Sequence, residues 1–84
     1  MNERDLRVIN EVWLLGAQTA DEFCDRDNLY INTWAPVFTR LRATGYLERT
    51  GERRATVNGG TAWVVDLTLR GKLAAQAAQK GAVR

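Results

Sequence analysis

The sequence of 84 residues contains no histidine and only one cysteine, Cys24. Without histidine the chain lacks the commonest general base and the commonest metal ligand, so a zinc site would need mostly carboxylates. A single cysteine cannot form an internal disulfide, and nothing else indicates secretion. No apolar run approaches the ~18 residues of a membrane span, and no signal-peptide core follows the first five residues. We therefore expect a cytoplasmic protein with no metal, no cofactor, no membrane partner and no catalytic activity.

The charge of the chain is unevenly distributed, although the net charge is only +2. Residues 1–38 carry three arginines against seven carboxylates, and residues 39–84 carry nine lysines or arginines against three carboxylates. This asymmetry favours a polyanion facing the second part of the chain, with an ordinary mixed surface as the alternative. The length fits a single domain, which we place at residues 1–78, with a frayed C-terminal tail at residues 79–84.

Apolar periodicity predicts two helices in the first third of the chain. Residues 5–15 repeat apolar side chains at helical spacing, and Gly16 follows where a helix C-terminal glycine is expected. The sequence Thr-Ala-Asp-Glu at residues 19–22 is a capping box that begins a short helix. That helix is expected to end near Asp27.

A third helix is predicted to begin at Asn32 or Thr33, either of which could cap it, and to end at Gly45. Pro36 would then lie in the first turn, where a missing amide costs little. The step of ~100° per residue gives this helix two distinct faces. The inward face contains Trp34, Val37, Phe38 and Leu41, and the outward face contains Asn32, Pro36, Thr39, Arg40 and Ala43.

From residue 46 the period of the sequence changes to two, which indicates strands at residues 46–50, 53–57 and 62–67. Asn58 and Gly59 begin the connection between the last two strands and form the strongest short hairpin signal. Thr68 can cap a final helix whose apolar stripe is Leu69, Leu73 and Ala77. The phases of Trp13, Trp34 and Trp63 all predict core packing, and Cys24 is expected to be a small buried residue. The carboxylates of Asp21, Glu22, Asp25 and Asp27 are interpreted as a solvated helix face.

The order helix, helix, helix, hairpin, helix is that of a helix-turn-helix followed by a hairpin. The chain resembles the winged helix-turn-helix family over nearly its whole length. The resemblance is carried by residues 19–23 (Thr-Ala-Asp-Glu-Phe), 32–36 (Asn-Thr-Trp-Ala-Pro), 41–47 (Leu-Arg-Ala-Thr-Gly-Tyr-Leu), 48–56 (Glu-Arg-Thr-Gly-Glu-Arg-Arg-Ala-Thr), 58–64 (Asn-Gly-Gly-Thr-Ala-Trp-Val) and 67–72 (Leu-Thr-Leu-Arg-Gly-Lys). Among its members, the chain looks most similar to small winged helix proteins of phages and prophages. The expected fold is α+β and mostly α: a three-helix bundle, a β-hairpin wing and a C-terminal helix.

The resemblance implies that the third helix lies in the major groove of double-stranded DNA and that the wing contacts backbone or minor groove. Carried over by position, Asn32, Thr33, Thr39 and Arg40 lie on the groove-facing helix, and Arg49, Arg53 and Arg54 lie in the wing. Lys72 is added because a basic residue in the first turn of a helix opposes the helix dipole, which favours a phosphate role. Arg42 is expected to lie nearer the core, beside Trp34.

Each of these sites has an alternative interpretation. Arg40 could form only a surface salt bridge, and the wing arginines could pair with Glu48 and Glu52. The function favoured by the sequence is sequence-selective or structural DNA binding by a small phage-type or bacterial transcriptional regulator. Any homodimer would use the first helix and the C-terminal helix. The alternative function is a protein-interaction module that acts as an inhibitor or adaptor of a host protein partner.

Overall fold

Three helices precede a two-stranded antiparallel hairpin, and a fourth helix follows it. The computed structural model describes residues 1–57 and 59–82. Its elements are α1 (Glu3–Leu15), α2 (Ala20–Arg26), α3 (Ile31–Ala43), β1 (Leu47–Ala55), β2 (Thr61–Leu67) and α4 (Leu69–Ala82). The predicted element order and the winged helix-turn-helix fold class are confirmed. The strands and the loop at residues 56–60 form the wing.

Side-chain caps define the starts of α1 and α2, and a glycine ends α1. The amide of Asp5 donates to Asn2 Oδ1 at 2.9 Å, which is why α1 begins two residues earlier than predicted. Gly16 ends α1 with φ of +91°, a conformation that favours glycine. The predicted capping box is confirmed, since Glu22 N donates to Thr19 Oγ1 at 3.0 Å and Thr19 N donates to Glu22 Oε1 at 2.9 Å.

Helix α3 begins earlier than the sequence predicted. Its N-cap is Tyr30, whose side chain makes no capping hydrogen bond, while the Tyr30 carbonyl accepts from the amides of Thr33 and Trp34 at 3.0 and 3.3 Å. The prediction of a cap at Asn32 or Thr33 is therefore wrong. Pro36 is the sixth residue of the helix, so it lies in the second turn and not in the first. The helix continues through Pro36, although proline has no amide N–H to donate to a backbone carbonyl.

The hairpin contains one long first strand where the sequence predicted two short ones. Leu47 pairs with Leu67 and Arg53 pairs with Trp63, but the register shifts between Arg49 and Arg53. Gly51 lies in this irregular stretch with φ of +95°. The predicted break at residues 51–52 is thus a bulge within β1, which bends the strand without ending it.

The wing loop is closed by backbone hydrogen bonds between its two ends. Thr56 N donates to Gly60 O at 2.9 Å, and Gly59 N donates to Thr56 O at 3.2 Å. Gly59 has the positive φ expected of this turn, at +86°. Asn58, the other residue of the predicted turn signal, lies outside the described residues.

The core lies where α1, α2 and α3 meet the base of the hairpin. Phe23 is at its centre, with its ring centroid 5.0 Å from that of Trp34 and 5.4 Å from that of Phe38. Gln18 joins the helices to the hairpin, because Gln18 N donates to Val65 O at 3.0 Å and Val65 N donates to Gln18 O at 2.9 Å. Among the residues that the structure describes, the buried apolar set is Val8, Ile9, Val12, Phe23, Cys24, Trp34, Val37, Phe38, Leu41, Leu47, Val64, Val65, Leu67 and Ala75.

Two of the three tryptophans do not belong to this core, which corrects the sequence prediction. Trp34 is 7% exposed, whereas Trp13 and Trp63 are 38% and 37% exposed. Val8, Ile9 and Val12 supply the inward face of α1, so Trp13 lies at its edge. Trp63 lies farther along the hairpin toward the wing loop than the buried Val64 and Val65.

Helix α4 packs against α1 through small residues. The amide of Gly71 donates to Thr68 Oγ1 at 3.1 Å, as predicted for a Thr68 cap. A Cβ at Gly71 would lie 2.2 Å from the Tyr46 carbonyl oxygen, so this contact requires glycine. Ala75 is fully buried, while Leu69 and Leu73 are exposed; the predicted apolar stripe is therefore the outward face of α4. The helix continues to Ala82, and the division of the chain at residue 78 stays a prediction.

In the described part of the chain, none of the helices has the length and apolar character needed to cross a membrane.

Candidate nucleic-acid interface

The outward face of α3 is the face that the helical period predicted. Asn32, Pro36, Thr39, Arg40 and Ala43 are all exposed, and Thr33 is half-buried. Asn32 Nδ2 donates to Tyr30 Oη at 3.3 Å, so the exposed tyrosine before the helix adjoins this face. The Thr39 hydroxyl donates to the carbonyl of Ala35 at 3.2 Å, as a threonine often does within a helix. The face thus offers an amide, a hydroxyl and a guanidinium group to solvent.

Arg40 forms an ion pair with Asp5 of α1. The Asp5 side chain is only 9% exposed, whereas that of Arg40 is 46% exposed. A nearly buried carboxylate needs a partner, and Arg40 supplies it. Because nearly half of the Arg40 side chain remains in solvent, the guanidinium group retains donors for a second contact.

Arg54 joins the wing to the start of α2. Its Nη1 donates to Glu22 Oε1 at 2.9 Å, and its Nε donates to Glu52 Oε2 at 2.8 Å. The hydrogen-bonded carboxylates of Glu52 and Glu22 raise the pKa of the Arg54 guanidinium. Since Glu22 Oε1 also accepts from the Thr19 amide, one carboxylate both caps α2 and fixes the wing.

Arg49 and Arg53 lie on Trp63. Their guanidinium carbons are 5.0 and 4.8 Å from the centroid of the indole ring. Adjacent strand residues face opposite ways, and Arg53 and Arg54 do so here, as expected. Among residues 1–57 and 59–82, neither Arg49 nor Arg53 has a carboxylate oxygen within 4.0 Å. These two cations are therefore not neutralised by the described part of the protein.

Lys72 lies apart from the wing, exposed in the first turns of α4. Its neighbour Arg70 lies 4.6 Å from the ring centroid of Tyr46, and its Nη2 donates to Tyr46 Oη at 3.2 Å. Lys72 is thus the only member of the expected site on α4, and no contact joins it to the wing arginines in the described part of the structure.

A groove of about 150 Å³ separates α3 from the wing. Its lining, which defines the α3–wing groove, consists of Ala20, Ala35, Phe38, Thr39, Arg42, Arg49, Ala62, Trp63 and Val65. The groove brings the end of the outward α3 face next to the Trp63 side of the wing. Of the predicted α3 and wing residues, Thr39 and Arg49 therefore line one groove, and Arg53 adjoins it through Trp63.

Arg42 is the groove residue that sequence reasoning missed. We expected it beside Trp34, but the guanidinium carbon over that ring belongs to Arg7, at 5.3 Å from the centroid. Arg42 is half-buried and lines the α3–wing groove. On α3, Arg42 lies between the inward and the outward face. Its neighbours therefore depend on where the hairpin packs, which the helical period does not predict.

Cys24 is buried, as predicted. Burial raises the pKa of its thiol, and the neighbouring carboxylates of Asp21 and Asp25 act in the same direction. A reactive thiolate needs the opposite shift. The described residues also contain no group of three or more histidine, cysteine, aspartate or glutamate side chains able to hold a metal ion.

Solved structures with the same architecture are transcriptional regulators. A MarR family regulator from Neisseria meningitidis aligns over 98% of this chain and 55% of its own, with TM-score 0.77 and 20% identity. Streptococcus pneumoniae FabT, solved in complex with DNA, aligns over 95% of this chain and 53% of its own, with TM-score 0.73 and 15% identity. A regulator from Thermotoga maritima aligns over 89% and 49%, with TM-score 0.70 and 19% identity.

This likeness establishes the winged helix fold. The chain spans about half the length of each of these three proteins. No protein-family model matches the chain, and no curated protein sequence does.

Proposed function

We propose that this domain binds double-stranded DNA as part of a transcriptional regulator, with α3 in the major groove and the wing on the adjacent backbone or minor groove. The observation that carries the proposal is the shared surface of α3 and the wing. Thr39 of the outward α3 face and Arg49 of the wing line the same groove, and Arg53 lies over Trp63, another residue of the lining. In the described structure neither arginine is paired with a carboxylate. A helix with exposed polar side chains and a neighbouring basic hairpin match the two grooves of a duplex.

Base recognition is assigned to the outward face of α3. Arginine can donate two hydrogen bonds to guanine, asparagine can pair with adenine, and threonine can contact either type of base edge. Arg40, Asn32 and Thr39 supply these groups, with Thr33 near the start of the helix. Arg40 would keep or exchange its bond to Asp5 when it binds, because about half of its side chain is exposed.

Backbone recognition is assigned to the basic side chains of the wing and α4. Arg49 and Arg53 are free of carboxylates in the described structure and can donate to phosphate oxygens. Lys72 adds a separate point charge on α4. Arg54 would have to leave Glu22 or Glu52 to contact DNA, so its contribution is expected to be smaller than that of Arg53.

A homodimer would double the number of groove contacts. Helix α1 exposes Trp13, Leu14 and Leu15, and α4 exposes Leu69 and Leu73. These exposed apolar residues favour association through α1 and α4. Sedimentation of the wild type and a Leu73→Glu variant tests this: a dimer that becomes a monomer supports it, and a monomeric wild type contradicts it.

The decisive experiment is a DNA-binding titration at several salt concentrations, with random duplexes and with duplexes enriched by selection. Each phosphate contact adds about −0.9 to the slope of log K against log salt, so four or five contacts give roughly −4 to −5. A sequence-selective regulator binds the enriched duplex more tightly at every salt concentration. Absence of binding to any duplex at low salt would contradict the proposal.

One observation favours the alternative of a protein partner. Two of the proposed DNA contacts, Arg40 and Arg54, are already paired with carboxylates of the helical part. If the wild type does not bind DNA, a basic wing that meets an acidic surface of a host protein becomes the better explanation. In that case the domain would act as an inhibitor or adaptor.

We also propose that the domain is similar to small phage regulators. This part of the proposal rests on the short motifs at residues 32–36 and 50–54.

A further inference from the structure

We propose that the α3–wing groove is a seat for one phosphate group of the DNA backbone, held between Arg42 and Arg49. The inference rests on the proposed DNA-binding function and deepens it, since it identifies a contact that lies between the helix and the wing. Arg42 projects from α3 and Arg49 from β1, and both line the same groove of about 150 Å³. The two elements thus supply one arginine each to a single cleft.

The chemistry of the donors suits an oxyanion. Among the described residues, neither Arg42 nor Arg49 has a carboxylate oxygen within 4.0 Å. The only hydroxyl of the lining, that of Thr39, already donates to the Ala35 carbonyl. The two guanidinium groups are therefore the charged donors of the lining, and their planar forks match the oxygens of a phosphate.

The rest of the lining makes such a contact stronger. Phe38, Val65 and Trp63 give the groove apolar walls, which reduce the screening of charges by water. Arg49 is oriented by the Trp63 ring, 5.0 Å from its centroid, so less side-chain freedom is lost when an anion binds. The groove stays open to an anion because three of its lining residues have small side chains: Ala20, Ala35 and Ala62.

The size and place of the groove favour a backbone phosphate over a larger ligand. Pockets that enclose drug-sized molecules measure about 300–1,000 Å³, and this groove is smaller. It lies between the element proposed for the major groove and the element proposed for the neighbouring backbone or minor groove. A DNA strand has to pass between those two elements, because its backbone separates the two grooves.

The first test compares the salt dependence with which random and enriched duplexes bind to the wild type and to four variants. Arg42→Gln and Arg49→Gln are each expected to reduce the magnitude of the slope, by up to about 0.9 because they share one phosphate, and to weaken random and enriched duplexes alike. Lys80→Gln is the control, since it removes one positive charge from the exposed end of α4, outside the groove. Arg42→Lys should restore most of the slope, because a lysine still neutralises the phosphate. Melting curves identify any variant whose loss of binding is a loss of folding.

The second test locates the phosphate. In a series of duplexes, each backbone phosphate is replaced in turn by a neutral methylphosphonate. At one position we expect the methylphosphonate to reduce the affinity of the wild type about tenfold, the scale of one charge-assisted contact. At that position it should not reduce the affinity of Arg42→Gln. Ala35→Leu, which fills the groove without changing the charge, should show the same loss of coupling.

The outcomes separate this inference from the proposed function. If both arginine variants keep the salt slope of the wild type, the phosphate seat is overturned while DNA binding remains. The same holds if the wild type and Arg42→Gln respond alike to every methylphosphonate. No binding of the wild type to any duplex would overturn both. Inorganic phosphate, tested against chloride at equal ionic strength, should not compete with DNA. Competition that disappears in Arg42→Gln would assign the groove to free phosphate and overturn a seat for the backbone.

Discussion

Two tryptophans with arginines over their rings represent two differently built regions of this domain. Trp34 is 7% exposed, packs on Phe23 and has the Arg7 guanidinium carbon 5.3 Å from its ring. Trp63 is 37% exposed and carries Arg49 and Arg53 at about 5 Å. Burial stabilises the first region, whereas the second is a hairpin whose cations stay in solvent. The helices therefore provide most of the buried core, and the wing exposes cations.

The largest expected effect is the loss of stability in Trp34→Ala. Removing a buried indole from the contact of α2 and α3 should cost ~3–5 kcal/mol of the free energy of unfolding. Small domains have a total stability of roughly 5–15 kcal/mol, so much of this protein should be unfolded. Chemical denaturation followed by circular dichroism measures the change. A variant with the melting temperature of the wild type would contradict the buried position of Trp34.

Next in size is the effect of Arg40→Ala on DNA recognition. If Arg40 reads a base, the variant should lose ~1–3 kcal/mol on an enriched duplex and much less on random DNA. The same change leaves Asp5 nearly buried without its partner, which also lowers stability. Asp5→Asn is the control, because it breaks the ion pair and retains Arg40. Equal losses on both kinds of DNA would contradict base reading, and equal losses in both variants would assign Arg40 a structural role.

Trp63→Ala tests the other side of the comparison. Two cation–π contacts at an exposed site contribute ~0.5–1 kcal/mol each, so the domain should remain folded and lose about 1–2 kcal/mol. DNA affinity should fall as well, because Arg49 and Arg53 lose the ring that orients them. Trp63→Phe keeps an aromatic face and should lie between the two proteins in both measurements. Loss of folding comparable to that of Trp34→Ala would contradict the division into a stabilising and a binding region.

The difference between the helical part and the wing also explains which features the sequence could predict. Local patterns were sufficient for the element order, the capping box and the outward face of α3, since each depends on residues within one or two helical turns. The alternative that a wing arginine pairs with Glu52 is confirmed for Arg54, and so is a salt bridge of Arg40. The distant partners were not predictable, because Arg40 and Asp5 are 35 positions apart and Arg54 and Glu22 are 32 apart. Trp63 was assigned to the core because strand alternation identifies a face but not how far the core extends along it.

Two further predictions were wrong, one in β1 and one in α4. The break predicted near Gly51 is a bulge, since a glycine between short β patterns is compatible with either a turn or an irregular strand. In α4 the leucine stripe is regular, but Ala75 is the buried residue and Leu69 and Leu73 are exposed. Periodicity identifies an apolar stripe, and only the tertiary packing decides which face of the helix is buried.

The smallest expected effect concerns the ion pair that joins the two regions, between Glu22 of α2 and Arg54 of the wing. Glu22→Gln retains the capping box, since glutamine also accepts from the N-cap amide, but it removes the negative charge 2.9 Å from Arg54 Nη1. If Glu22 keeps Arg54 from the DNA backbone, the variant should bind all duplexes more tightly, and the magnitude of its salt slope should rise by up to about 0.9. Glu11→Gln is the matched control, because it releases Arg26 from a similar pair between α1 and α2. An additional Arg54→Gln change should return the slope to the wild-type value. An unchanged slope in Glu22→Gln would mean that Arg54 holds the wing in place and does not reach phosphate.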